Sequence, residues 1–156
     1  GTYARFGWVS APGAPVSQVR RLAVPDFAGP AEAAMAYLAD LAAAPGGDAR
    51  APVHAAFAVA TAVGGDRITL TNSHWDFSRT AVQQALGLRS LRLLNDFESL
   101  ALSLPGLGDG QLRRHPGVAA TSAGAMAATM AVVGPGTGLG VGGVVCPSSA
   151  CCRARA

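Results

Sequence analysis

The chain has 156 residues, half of them hydrophobic and 13% charged, so it can bury a core and does not read as a disordered polymer. Its net charge of +3 comes from arginine alone. A P-loop, which needs a lysine after its glycines to reach the terminal phosphates, is excluded because the chain has no lysine. The arginines are scattered, with doublets only at Arg20-Arg21 and Arg113-Arg114 and no basic stripe with interleaved aromatics, which argues against nucleic acid as a partner.

Residues 2–9 alternate Ala4, Phe6 and Trp8 against Tyr3, Arg5 and Gly7, the period of a strand. Ala11 to Pro15 reads as a turn and Gln18 to Val24 as a second strand. Pro30, after Gly29, suits a first helical position. Ala31, Ala34, Met35, Leu38 and Leu41 keep a helical period to about Ala44, and Pro45-Gly46-Gly47-Asp48 stops it. Val53 to Ala60 predicts a buried central strand. Gly64-Gly65-Asp66 is a turn, after which Arg67 to Thr71 is expected to pair back as a hairpin strand. Ser78 caps a short helix that Gly87 closes.

Ser90 to Leu94 reads as a strand, and Phe97 to Leu104 as a helix stopped by Pro105-Gly106. Residues 107–127 form a loose connection and the best candidate for a domain boundary. Thr129 to Val133 and Gly140 to Val145 are the last expected strands. The order describes an α/β fold with mixed strand directions.

The uncharged run from Pro116 to Val145 is built from Gly, Ala, Thr and Ser and broken by Pro135, so no membrane span is expected. No signal peptide is recognisable, and a cytoplasmic location is expected. Cys146, Cys151 and Cys152 match no zinc spacing and have no histidine nearby. They read as an unstructured tail rather than a disulfide scaffold. His54, His74 and His115 share no common spacing, so no metal site is expected from them.

The chemistry concentrates at Asn95-Asp96, where an apolar strand ends and a helix begins. Open α/β sheets place ligands at such carboxyl ends, and Asp96 there can take a proton from a substrate hydroxyl. The competing reading is that Asn95 or Asp96 caps the helix, and Asn95-x-x-Glu98 resembles a capping box. The two roles are compatible, because a helix N-terminus favours negative charge.

Gly134-Pro135-Gly136-Thr137-Gly138-Leu139-Gly140 supplies a turn of backbone amides suited to phosphate. By letters, Gly138, Gly140 and Gly143 also fit a dinucleotide pattern. That pattern requires a helix, and the β-branched Val141, Val144 and Val145 favour a β-hairpin instead. A plain glycine-rich hairpin is the alternative. Gly1-Thr2 repeats the Gly-Thr chemistry. Thr71 to Ser78 is a polar-aromatic loop in which Asn72 could meet a sugar, unless it is simply a helix-entry loop over a core Trp75. A base and a phosphate cradle together suggest phosphoryl transfer to an alcohol.

Several ordered segments resemble the bacterial glucokinase family of actin-like sugar kinases. Gly1-Thr2-Tyr3-Ala4-Arg5-Phe6 is similar to the end of the family's first phosphate motif. Ala58-Val59-Ala60 through Gly65-Asp66, Leu70-Thr71-Asn72 and Trp75-x-Phe77-Ser78 are similar to its middle region. Leu94-Asn95-Asp96-Phe97 and Gly134-x-Gly136-Thr137-Gly138-Leu139-Gly140 are similar to its catalytic and second phosphate motifs.

The resemblance implies an actin-like, ribonuclease H-like lobe with a mixed β-sheet and flanking helices, plus the first hairpin of a second lobe. It divides the chain into a small lobe over 1–107, a linker over 108–127 and the start of a large lobe over 128–145. It implies ATP-dependent phosphorylation of D-glucose at the 6-hydroxyl, with Asp96 as base and Asn95 and Asn72 as sugar ligands. Gly1, Thr2, Gly136, Thr137 and Gly138 would hold ATP, whose phosphates Mg²⁺ would bridge. No protein metal ligand, nucleic acid or membrane enters this reading, and the intact parent would be a homodimer.

Departures from the family pattern accompany the match. Tyr3 stands where the family has Asn, and the first strand with its Asp and one Gly is missing. Residues 146–156 replace the expected Glu-Gly-Gly-His segment. The expectation is therefore an inactive fragment with a frameshifted or artefactual tail after about Val145. The rival readings are a kinase for another hexose, a non-catalytic sugar-binding regulator and a gene remnant.

Overall fold

The structure is a computed structural model that describes residues 2–44, 51–113, 116–117, 129–135, 139–148 and 151–155. The contacts divide the chain into two units, residues 1–93 and 94–156.

In the first unit, β1 (Tyr3–Trp8) and β2 (Ser17–Ala23) form an antiparallel hairpin. Ala4, Phe6 and Trp8 are its half-buried positions, as their alternation requires. Helix α1 (Pro30–Ala43) starts on Pro30, and Glu32 reaches back to accept the Ala28 N–H at 2.6 Å. Its buried stripe is Pro30, Ala33, Ala34, Tyr37 and Leu41, whereas Met35 is exposed. The helix is therefore turned relative to the expected stripe. The cause is Tyr37, whose ring stacks on Phe6 with centroids 5.4 Å apart while its hydroxyl donates to the Gln18 carbonyl. The stop signal at 45–48 lies outside the described residues.

Strand β3 (His54–Val59) pairs with β6 (Ser90–Asn95). It alternates exposed and half-buried positions instead of being buried on both faces. Strand β4 (Arg67–Thr69) pairs antiparallel with β5 (Asp76–Ser78), not back onto β3. The loop from Leu70 to Trp75 turns the chain and sets the buried side chains of Ile68 and Phe77 opposite each other. That local pairing buries two large apolar groups at small loop-closure cost.

Helix α2 (Arg79–Ala85) is capped by Ser78, whose Oγ accepts the Ala81 N–H at 3.1 Å, and Gly87 follows with φ +63°. The core gathers Val24, Ala33, Ile68, Trp75, Phe77, Val82, Leu88, Leu91 and Leu93.

In the second unit, α3 (Asp96–Ser103) covers an antiparallel sheet of β7 (Thr129–Pro135), β8 (Leu139–Ser148) and β9 (Cys151–Arg155). Two expectations change here. The unit division falls after Leu93 rather than at residues 108–127, because α3 packs on β7, β8 and β9. Most of 114–128 lies outside the described residues.

The expected unstructured tail is strand β9. It satisfies the open edge of β8, with Val144 opposite Ala154, and both side chains are buried beside Ala101. Cys146 and Cys152 are joined by a disulfide between these strands. Among the described residues no helix is long and apolar enough to cross a membrane.

Candidate functional site

Strand β6 anchors its end through the buried Leu91, Leu93 and Leu94 and delivers Asn95 and Asp96 at the start of α3. Asn95 is the N-cap. Its Oδ1 accepts the Phe97 N–H at 2.9 Å, and Asp96 Oδ1 accepts the same N–H at 3.0 Å. The cap role therefore falls chiefly to Asn95, and Asp96 is the first helical residue. A carboxylate has two oxygens and about four acceptor sites, so this bond leaves Asp96 capacity to receive a proton. Both residues are half-buried.

The glycine segment is a hairpin, as the valines after it require. Val133 pairs with Val141, Gly134 with Gly140, and Pro135 with Leu139. The second phosphate residues Gly136, Thr137 and Gly138 lie outside the described residues, as does Gly1. The strand ends that flank 136–138 are described, and α3 sits on them through Phe97.

A Cβ added at Gly134 would lie 2.7 Å from Phe97 Cζ. One added at Gly140 would fall inside the same ring. One added at Gly142 would meet the Phe97 carbonyl and stand 3.3 Å from Ala101 Cβ. Only residues without a side chain allow this approach. The neighbour of Asp96 and the strand ends of the expected phosphate hairpin are thus brought together within one unit.

Thr2 and Asn72 belong to the first unit. The Thr2 carbonyl accepts the Val24 N–H at 3.0 Å. Asn72 is exposed in the loop between β4 and β5. Trp75 in that loop is a core residue, 6% exposed, and its indole N–H donates to the Phe27 carbonyl at 3.0 Å. His74 Nε2 lies 2.9 Å from the same carbonyl. These bonds place the loop by its aromatic residues. Among the described residues no group of three or more His, Cys, Asp or Glu is arranged to hold a metal.

The residue missed in the sequence is Phe97. Its signal was there: Gly140 and Gly142 are two apart, so a strand puts them on one face, bare toward whatever packs there. Such a face serves close approach as well as anion binding.

The mixed α/β fold, with Asp96 at a strand end and a hairpin flanked by glycines in the same unit, is of the actin-like class. The comparisons agree. The family model described as Glucokinase matches residues 1–154. A glucokinase of Aromatoleum aromaticum is 45% identical over 145 residues, covering 93% of this chain and 41% of its own length. One of Cupriavidus pinatubonensis is 46% identical over 148 residues, covering 93% of this chain and 40% of its own. A crystal structure of glucokinase from an Antarctic psychrotroph superposes with a TM-score of 0.74 at 26% identity, over 99% of this chain and 46% of that one.

The chain belongs to the glucokinase family. It spans about two fifths of the length of these relatives. The family match runs through residue 154, so it includes most of the segment expected to be foreign to the family.

Proposed function

We propose that an enzyme of the relatives' full length carrying this sequence phosphorylates D-glucose at the 6-hydroxyl with ATP, with Asp96 as general base, and that the 156-residue chain alone is inactive. The observation that supports the reading is the seating of Phe97, the residue after Asp96, on the strand glycines that flank 136–138, so that a carboxylate and the glycine strands belong to one unit. Asn95 and Asn72 would bind sugar hydroxyls, and Gly1, Thr2, Gly136, Thr137 and Gly138 would bind the nucleotide. Mg²⁺ would be held mainly by phosphate oxygens and water. When bound, the ion would offset the charge of the transferring phosphoryl group. The reading carries a cytoplasmic enzyme and a homodimeric parent.

The test is Asp96→Asn in an enzyme of the relatives' full length carrying this sequence. Loss of a general base is expected to lower kcat about 10²- to 10⁴-fold. Glucose affinity, measured by equilibrium titration, is expected to stay within a few fold, since the amide keeps the shape and one acceptor. Near-normal turnover would refute the assignment. A panel of hexoses in the same assay separates glucose from a related sugar, and sugar-induced thermal stabilisation without product would point to a regulator.

A further inference from the structure

Gly134, Gly140 and Gly142 lie on the face of the β7–β8 hairpin that meets α3, and Phe97 contacts all three positions. An anion cradle needs glycine where amides face the anion, not beneath a helix. These strand glycines therefore answer to a side chain. Gly143, on the opposite face, supplies the contrast: a Cβ there would meet nothing closer than 3.8 Å.

Phe97 is held at three points. Its ring rests across the register pair Gly134–Gly140, its carbonyl lies against Gly142, and its N–H is taken by Asn95 Oδ1 and Asp96 Oδ1. Ala101, one turn on, touches Gly142 as well, so the same helix face continues the contact. A flat ring over two facing glycines covers backbone from both strands at once, the arrangement by which aromatics stabilise glycines in sheets.

We propose that Phe97 is a positioning residue: it seats α3 on the hairpin so that Asp96 is held in fixed relation to Pro135 and Leu139, the strand ends beside the expected phosphate. Asp96 and these strand ends then move as one body. The inference rests on the kinase reading, because only that reading gives Asp96 and the hairpin a common task.

The test uses the 156-residue chain, with magnesium pyrophosphate as the probe and backbone amide NMR shifts as the readout. In the unsubstituted chain the Leu139 amide is expected to shift on titration, and the Asp96 amide to follow with the same midpoint. In Phe97→Ala the Leu139 midpoint is expected to stay within about twofold while the Asp96 response is lost. Gly140→Ala should reproduce that loss with Phe97 still present, Phe97→Leu should restore part of it, and Gly143→Ala should behave as the unsubstituted chain. If Phe97→Ala does not fold, Gly140→Ala against Gly143→Ala gives the same comparison. An Asp96 amide that still follows the probe in these variants overturns the inference and leaves the kinase reading standing. No Leu139 response in the unsubstituted chain overturns the phosphate reading and this inference with it.

Discussion

Asp66 shows how one exposed carboxylate organises a turn. It accepts from Ser78 Oγ and from the hydroxyl and N–H of Thr80, at 2.7 and 2.9 Å for the latter two. The Ser78 hydrogen bond first, then those from Thr80, hold its carboxyl down to about 2, below the usual carboxylate range. A depressed value contributes stability above the unfolded carboxyl pKa, and that contribution is lost as pH falls through the folded one. Asp66→Asn is therefore expected to destabilise the chain by a constant amount above about pH 4, and the gap should close between about pH 4 and pH 2. Urea midpoints of both proteins across that range check it.

Asn95 allows two functions to be separated. Asn95→Ala should cost about 0.5–2 kcal/mol through the lost cap, whereas Asn95→Ser keeps a cap oxygen and most of the stability. If Asn95 also binds sugar, the serine variant of a full-length enzyme should raise the glucose KM without unfolding. An unchanged KM would leave Asn95 as a cap alone. The caps at Ser78 and Asn95 were legible in the sequence because a cap acts over three residues. The seating of the Phe97 ring was not, since the glycines it meets lie more than thirty positions away.

At the scale of elements, β4 and β5 depend on one buried pair. Ile68 is 1% exposed and stands opposite Phe77 in the ladder. Ile68→Ala is expected to cost about 2–5 kcal/mol, read as a fall in thermal or urea midpoint. A loss below about 0.5 kcal/mol, the usual size of a surface change, would mean that this pair does not anchor the hairpin. The strands β1, β2, β6, β7 and β8 fall where the sequence pointed, β1 by its period-2 alternation. Pairing did not follow, because alternation says which side is apolar and not which neighbour will cover it. Helix α1 shows the same limit: of the expected stripe Ala31, Ala34, Met35, Leu38 and Leu41, Ala34 and Leu41 are buried, but Met35 is exposed and Ala33 and Tyr37 are buried instead. Stacking of Tyr37 on Phe6 chose the observed face.

The whole molecule consists of two units, each with its own small core. The chain spans 41% of the Aromatoleum relative. On the kinase reading it carries the base and part of the phosphate site, so the 156-residue chain alone is expected to show no glucose-dependent ADP formation above the rate without protein. A coupled assay for ADP checks this, and measurable turnover would mean that the catalytic set is complete within it.

By itself the sequence determined the class. The absence of lysine removed the P-loop, the Leu94-Asn95-Asp96-Phe97 and glycine motifs carried the family resemblance, and residues close in the chain announced their turns and caps. These signals are local or are ordered words in one chain. Only the tertiary structure decided that β4 pairs with β5, that residues 151–155 form a strand, and that three glycines make room for Phe97. The seating of Phe97 depends on surfaces that meet across a long stretch of chain, and in the two hairpins the pairing is set by burial and ladder hydrogen bonds, which the letters of the strands do not specify by themselves.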